Sequence, residues 1–235
     1  MAGRKLLHQG TTKKLFETDS EEEIILQFSD KEFEFDGERK AGFKGKGKLR
    51  SLMTSLIYEY LGSYNIPTHF IKKGDDAEIR VKKLKMIPLR VVVRNFAAGS
   101  LSDRFQLEEG TELKYPVIEY YLKDRKLNYP MISESHAYAF GYASPEEMKY
   151  IVRLASKINA VLKSYFDRRK MKLIDYQLEF GRYKNQLMLA DEITADTCRL
   201  WQVKPDGSLD QNYFRYEGKK AKSSYEEIYN RLVGK

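Results

Sequence analysis

The sequence has a single cysteine, Cys198, among 235 residues. That excludes an internal disulfide and a cysteine-built metal cluster, and it fits a reducing, cytoplasmic setting. Histidine is nearly as scarce. His8, His69 and His136 lie far apart with no metal-ligand spacing, so all three read as ordinary side chains. No apolar run is long enough to span a membrane. The N-terminus "MAGRKLLHQG" is basic but has only two consecutive large apolar residues, too few for a signal peptide. Internal repeats, low-complexity tracts and a Pro/Ser/Gly linker are also missing. A serine-hydrolase or cysteine-protease reading finds no support, because Cys198 has no recognisable partner pattern.

What is present is a globular composition, with 42% hydrophobic and 13% aromatic residues. The net charge of +8 comes from 42 basic and 34 acidic residues, and the densest basic run is "ERKAGFKGKGKLR" at 38–50. Such a balance suits phosphorylated metabolites, nucleic acid or simple solubility. The segments of catalytic character are acidic and would repel a phosphate backbone, so nucleic acid is not expected.

The first third reads as short strands: "KKLFET", "EIILQFSD", "THFIKK" and "AEIRVKK". Between the second and third, Leu49, Leu52, Met53, Leu56, Ile57, Tyr60 and Leu61 follow helical spacing, with Gly62 and Pro67 closing the helix. A second helix opens at Ser144, with Pro145 at its first position and Glu147 completing a capping box. A third, "SYEEIYNRL", again shows Ser followed three residues later by Glu. The mixture predicts an α+β protein with a hinge in "VKKLKMIP", near Val81–Met86.

Three segments carry chemistry. In "VVVRNFAAGSLSDRF", a strand ends at Arg94, small residues follow, and Ser100 with Asp103 predicts a capped helix start. This is either an anion site of backbone N–H groups and a guanidinium, or a plain turn with a surface arginine. The stretch "LIDYQLEFG" alternates apolar Ile174, Tyr176, Leu178 and Phe180 with Asp175, Gln177 and Glu179. Paired as a hairpin with "LMLADEITADTCRLW", it brings Glu179 near Asp191. Two such carboxylates repel unless a cation sits between them or one is protonated; Mg2+ suits the oxygen ligands, and the other reading is salt bridges to nearby lysines. In "HQGTTKKLFE", Gly10 precedes a strand with Lys13 and Lys14. That arrangement could fold over nucleotide phosphates, although the spacing is not that of a P-loop.

Together these segments resemble the SAICAR synthetase family of purine biosynthesis over nearly the whole chain. The most specific matches are "IPLRVVVRNFAAGSL", "LIDYQLEFG", "LADEITADTCRLW" and "SLIYEYLGSYNIPTHFI", joined by "EEGTEL" and "LDQNYFR". The resemblance implies a two-domain α+β fold, with an antiparallel nucleotide lobe at 1–84, similar to those of kinases and ATP-grasp proteins. A larger domain at 85–235 would hold the ribotide and metal sites. It implies an ATP- and Mg2+-dependent ligase joining a carboxyaminoimidazole ribotide to L-aspartate through an acyl phosphate. By the same resemblance Glu179 and Asp191 hold the metal, and Lys13, Lys123, Glu179 and Asp191 are catalytic. Gly10, Lys13, Lys83, Met86, Glu179 and Asp191 meet the nucleotide, and Arg94, Ser100, Arg199 and Arg215 meet the ribotide. Its partners would be small molecules, without nucleic acid or membrane, and the family allows a homo-oligomer.

The chain also departs from the family pattern, at Thr11, Arg50, Ser51, Arg90, Arg125, Tyr129 and Gln177, and at Phe33 and Glu34 near Asp36. Arg90, Arg125 and Tyr129 stand where the pattern has acids, and Gln177 where it has lysine. These changes are expected to cluster at the site. They leave open a related ligase using another acid or amine, and a non-catalytic nucleotide-binding homologue.

Overall fold

The computed structural model describes residues 4–234. The chain runs β1 (Leu6–Gln9), β2 (Lys13–Glu17), β3 (Glu23–Phe28), β4 (Phe33–Phe35), β5 (Glu38–Lys40), α1 (Lys46–Ser63), β6 (Phe70–Lys73), β7 (Glu78–Lys82) and β8 (Lys85–Phe96). It continues α2 (Ser100–Phe105), β9 (Glu112–Leu122), β10 (Met131–Ile132), α3 (Glu134–Ala139), α4 (Pro145–Asp167), β11 (Met171–Tyr183), β12 (Gln186–Ala190), β13 (Cys198–Val203), β14 (Leu209–Asp210) and α5 (Lys220–Leu232).

An antiparallel five-stranded sheet has the order β1-β2-β3-β7-β6, and a seven-stranded sheet has the order β10-β9-β8-β11-β13-β14, with β12 also on β11. The change from one sheet to the other falls between Lys82 and Lys85, within the segment expected to be a hinge. β4 and β5 form a separate small hairpin. The small sheet is packed by Ile24, Leu26, Phe28, Ile79 and Val81. The main core lies where α1 and α4 (Met53, Ile57, Ile151, Ile158, Leu162) cover Val91, Val93, Tyr176 and Leu178 of the large sheet. Each such buried aliphatic side chain contributes roughly 1.5–3 kcal/mol.

α4 starts as its sequence requires: the Ser144 hydroxyl accepts from the Glu147 N–H at 3.2 Å, and Glu147 accepts from the Ser144 N–H at 2.8 Å. Two expected caps are not caps. α5 begins four residues before Ser224, whose buried hydroxyl instead accepts from the Arg215 N–H at 2.9 Å. α2 follows Gly99 with no side-chain cap, because the Ser100 hydroxyl is engaged elsewhere. Among the described residues no helix is long and apolar enough to cross a membrane.

Candidate active site

A cavity of about 900 Å³ lies where the two sheets face each other. Its apolar end is made by Leu15, Ile24, Leu26 and Val81 of the small sheet with Leu84 and Met86 of the crossover. Its polar end receives Gly10, Thr11 and Lys13 from the β1–β2 hairpin, Lys123 from beyond β9, Gln177 and Glu179 from β11, and Asp191 from beyond β12. Gly181 allows the crossover to lie this close to β11: a Cβ there would stand 2.8 Å from the Leu84 Cβ.

The hairpin expectation holds. Glu179 pairs with Ala190, so Asp191 follows directly beside it. Lys13 Nζ donates to Asp191 at 2.5 Å and to Glu192 at 2.7 Å, and Lys123 Nζ donates to Glu179 at 2.5 Å. Burial pushes the Glu179 carboxyl upward, and the Asp191 charge adds to it, against the pull of Lys123 and Lys13. At Asp191 burial pushes the same way, but the Lys13 and Lys123 charges outweigh it and the carboxyl ends below its usual range. Burial opposes the Lys13 charge, yet Asp191 and Glu192 more than offset it and raise its pKa. The pair titrates as a unit, with Asp191 the more firmly ionised member.

The turn that carries Asp191 is held from below. Asp191 has φ +66°, the Tyr58 hydroxyl donates to the Ala190 carbonyl at 2.7 Å, and His69 Nε2 lies 3.2 Å from the Asp191 carbonyl. Burial lowers the His69 pKa to about 4, so the ring is neutral at pH 7 and can donate to that carbonyl as a neutral imidazole.

A second cluster forms around Arg94, which is wholly buried rather than a surface residue. Its Nε donates to Glu119 at 2.7 Å, and its Nη1 donates to Asp175 and to Asp36, both at 2.9 Å. Its Nη2 donates to the Ser100 hydroxyl at 3.0 Å. Arg199 donates to Asp175 at 2.9 Å and to Asp36 at 3.3 Å. The expected convergence of Arg94, Ser100 and Arg199 is therefore real, and the carboxylate of Asp36 sits at its focus. Asp36 also accepts from the Ser100 hydroxyl at 2.5 Å and from its backbone N–H at 3.2 Å. Asp36 and Gly37 form the tip of the β4–β5 hairpin, both at positive φ, as an Asp-Gly turn of this kind requires. Desolvation works against the Asp36 charge, but Arg94, Ser100 and Arg199 overcome it and hold the pKa at about 2. Asp175 shows the opposite balance: complete burial raises it to about 6 despite Arg199 and Arg94, and its Oδ1 has no partner.

Two expected site residues lie outside the cavity lining. The crossover alternates, so Lys82, Leu84 and Met86 line the cavity while Lys83 is exposed outside its wall. Arg215 is exposed, and its Nε donates to the Asn212 carbonyl, because its neighbours Phe214 and Tyr216 are the buried positions. Of the departures from the family pattern, Thr11, Phe33, Arg90, Arg125, Tyr129 and Gln177 do line the cavity. Arg50 does not: it is buried against Asp196, at 2.5 Å, and the Ser29 and Lys31 carbonyls, a structural role. Glu192, His69, Asp36 and Asp175 belong to the two clusters without having been singled out. Asp175 did stand in the alternating stretch, and "FDG" marks the Asp36 turn. His69 and Glu192 carried no local signal.

A family model described as SAICAR synthetase matches residues 6–232. The chain is 44% identical over 228 residues to the phosphoribosylaminoimidazole-succinocarboxamide synthase of Clostridium kluyveri, covering 97% of each. Its fold is similar to the crystal structure of the synthase of that name from Ehrlichia chaffeensis, with TM-score 0.89 and 36% identity over 98% of this chain and 99% of the other. It is equally similar to a SAICAR synthetase in complex with ADP, with TM-score 0.89 and 40% identity over 98% of each chain.

Proposed function

The chain belongs to the SAICAR synthetase family, and from that premise we infer that the 900 Å³ cavity is where it performs an ATP-dependent ligation of purine biosynthesis. The observation that carries the assignment is the convergence of Lys13, Lys123, Glu179 and Asp191, from four separate segments, at one end of that cavity.

In this reaction a carboxylate oxygen of the carboxyaminoimidazole ribotide attacks the γ-phosphorus of ATP, and ADP leaves. The amine of L-aspartate then attacks the acyl carbon, loses a proton, and displaces phosphate to give the amide. Bound ADP in a relative 40% identical supports nucleotide use. The apolar end, Leu15, Ile24, Leu26, Val81, Leu84 and Met86, suits the flat base of a nucleotide between a lobe at 1–84 and a domain at 85–235. Its phosphates then run toward Gly10 and Lys13. Glu179 and Asp191 would hold a Mg2+, which supplies positive charge against the phosphates; two carboxylates with remaining positions left to water and phosphate fit that ion. Lys13 and Lys123 offer the same carboxylates internal cations and can turn toward phosphate oxygens as charge builds there. Arg94, Ser100 and Arg199 suit the ribotide phosphate, which would have to displace the Asp36 carboxylate. The setting is cytoplasmic.

The test is turnover of purified protein with ATP, Mg2+, the ribotide and L-aspartate, read as ADP release and product mass. Glu179→Gln and Asp191→Asn should each lower kcat by at least about a hundredfold with the fold intact. Full activity in either variant overturns the metal assignment.

A further inference from the structure

The cations at the polar end of the cavity are not alike. Lys13 and Lys123 are each held by carboxylates. Arg90 and Arg125 face the same cavity, and among the described residues neither guanidinium forms an ion pair. The Arg90 Nε is buried with no hydrogen-bond partner, and so is the Gln177 Oε1. Gln177 itself is only 4% exposed. A buried donor and a buried acceptor left unsatisfied in one cavity wall each cost free energy until a ligand meets them.

Their placement is set by strand register. Arg90 of β8 lies opposite Glu179 of β11, and Gln177 lies two residues along β11, so all three emerge on one face. Tyr129 covers Arg90 with its ring, 5.4 Å from the guanidinium carbon. Arg125 comes from the same loop as Tyr129, folded back by the Tyr129 N–H donating to the Asp124 carbonyl at 2.9 Å. The corner thus offers two unmatched guanidinium groups and one unmatched amide oxygen beside the Lys123–Glu179 pair. Guanidinium groups call for carboxylates, and an amide oxygen calls for an N–H donor. A dicarboxylic amino acid carries both kinds of group, and a neutral or monocarboxylic one leaves a guanidinium unmatched.

We propose that Arg90, Arg125 and Gln177 form the subsite for the amine substrate, taking the carboxylates on the two arginines and the amine on the Gln177 oxygen, and so select a dicarboxylic amino acid. The inference rests on the ligase reading of the cavity.

The test measures KM separately for L-aspartate, ribotide and ATP in the wild type and in Arg90→Ala, Arg90→Lys, Arg125→Ala and Gln177→Leu. Arg125 is exposed in its loop, so Arg125→Ala keeps the fold even where an Arg90 variant does not. The KM for L-aspartate should rise about tenfold or more in Arg90→Ala and Arg125→Ala, with the other two constants changed less than about twofold. The preference for L-aspartate over L-asparagine should shrink in both, and Arg90→Lys should restore part of it. A rise confined to the ribotide or ATP constant, or an unchanged aspartate constant, overturns the proposal. If the wild type shows no turnover with any amine, the ligase reading fails. Equilibrium binding of L-aspartate and L-asparagine then decides the subsite alone: discrimination lost in Arg125→Ala supports it, and equal binding overturns it.

Discussion

At the scale of single residues, the buried charges of the Arg94 and Asp196 clusters are answered by more charge. Asp36 holds its ionised form against Arg94, Arg199 and Ser100, with a pKa near 2. Its contribution to stability is therefore full above the ordinary carboxylate range and is lost as pH falls from about 4 toward 2. Asp36→Ala should destabilise the protein by about 2–4 kcal/mol, since it leaves guanidinium groups under-compensated. Inorganic phosphate should return part of that loss in the variant and do less for the wild type, measured by thermal unfolding. Equal phosphate effects would remove the anion-site reading. Lys46 shows the reverse case. Its Nζ lies 3.0 Å from Asp196, but burial and the neighbouring Arg50 and Lys40 lower its pKa to about 8. A depressed lysine adds stability as pH rises from about 8 toward its ordinary 10.5. Urea denaturation between pH 7.5 and 9.5 should show that rise in the wild type and a flatter profile in Lys46→Met.

At the scale of elements, legibility followed the range of the interactions. α4 could be read in full because its cap and its apolar stripe are both local. β11 could be read as alternating, but not as buried on both faces. Asp175, Gln177 and Glu179 are under 9% exposed because side chains distant in sequence meet that face, Arg94 and Arg199 at Asp175 and Lys123 at Glu179. The same limit explains Ser100 and Ser224, which carry correct cap residues whose hydroxyls are claimed by partners 64 and 9 positions away. In the basic run at 38–50, Lys40, Lys46 and Arg50 are buried around Asp196, which composition alone does not reveal. Gly181 gives this scale its own prediction. Gly181→Ala brings a Cβ against the crossover at Leu84, so stability should fall by about 1–3 kcal/mol. The displaced Leu84 and Met86 should raise the KM for ATP more than the KM for L-aspartate.

For the whole molecule, the question is what joins the two sheets across the cavity. The covalent link is the short crossover at Lys82–Lys85, helped by backbone bonds from His69 N–H to the Leu189 carbonyl and from Leu189 N–H to the Pro67 carbonyl, both 2.9 Å. A further link is Lys13, which reaches from β2 to Asp191 and Glu192. Glu192 has a side chain only 1% exposed, so losing its cation is costly. Lys13→Met should therefore destabilise the metal-free protein by about 3–5 kcal/mol. It also leaves Asp191 and Glu192 without their internal cation, and Mg2+ can take that place. Added Mg2+ should then raise the unfolding midpoint of Lys13→Met more than that of the wild type, where the lysine competes for the same oxygens. A ligand present at a hundred times its Kd adds about 2.7 kcal/mol, enough to be read in a melting curve. If Mg2+ shifts both proteins equally, or shifts neither, Asp191 is not a ligand of the metal. In that case Lys13 and Asp191 act only as the clasp between the sheets.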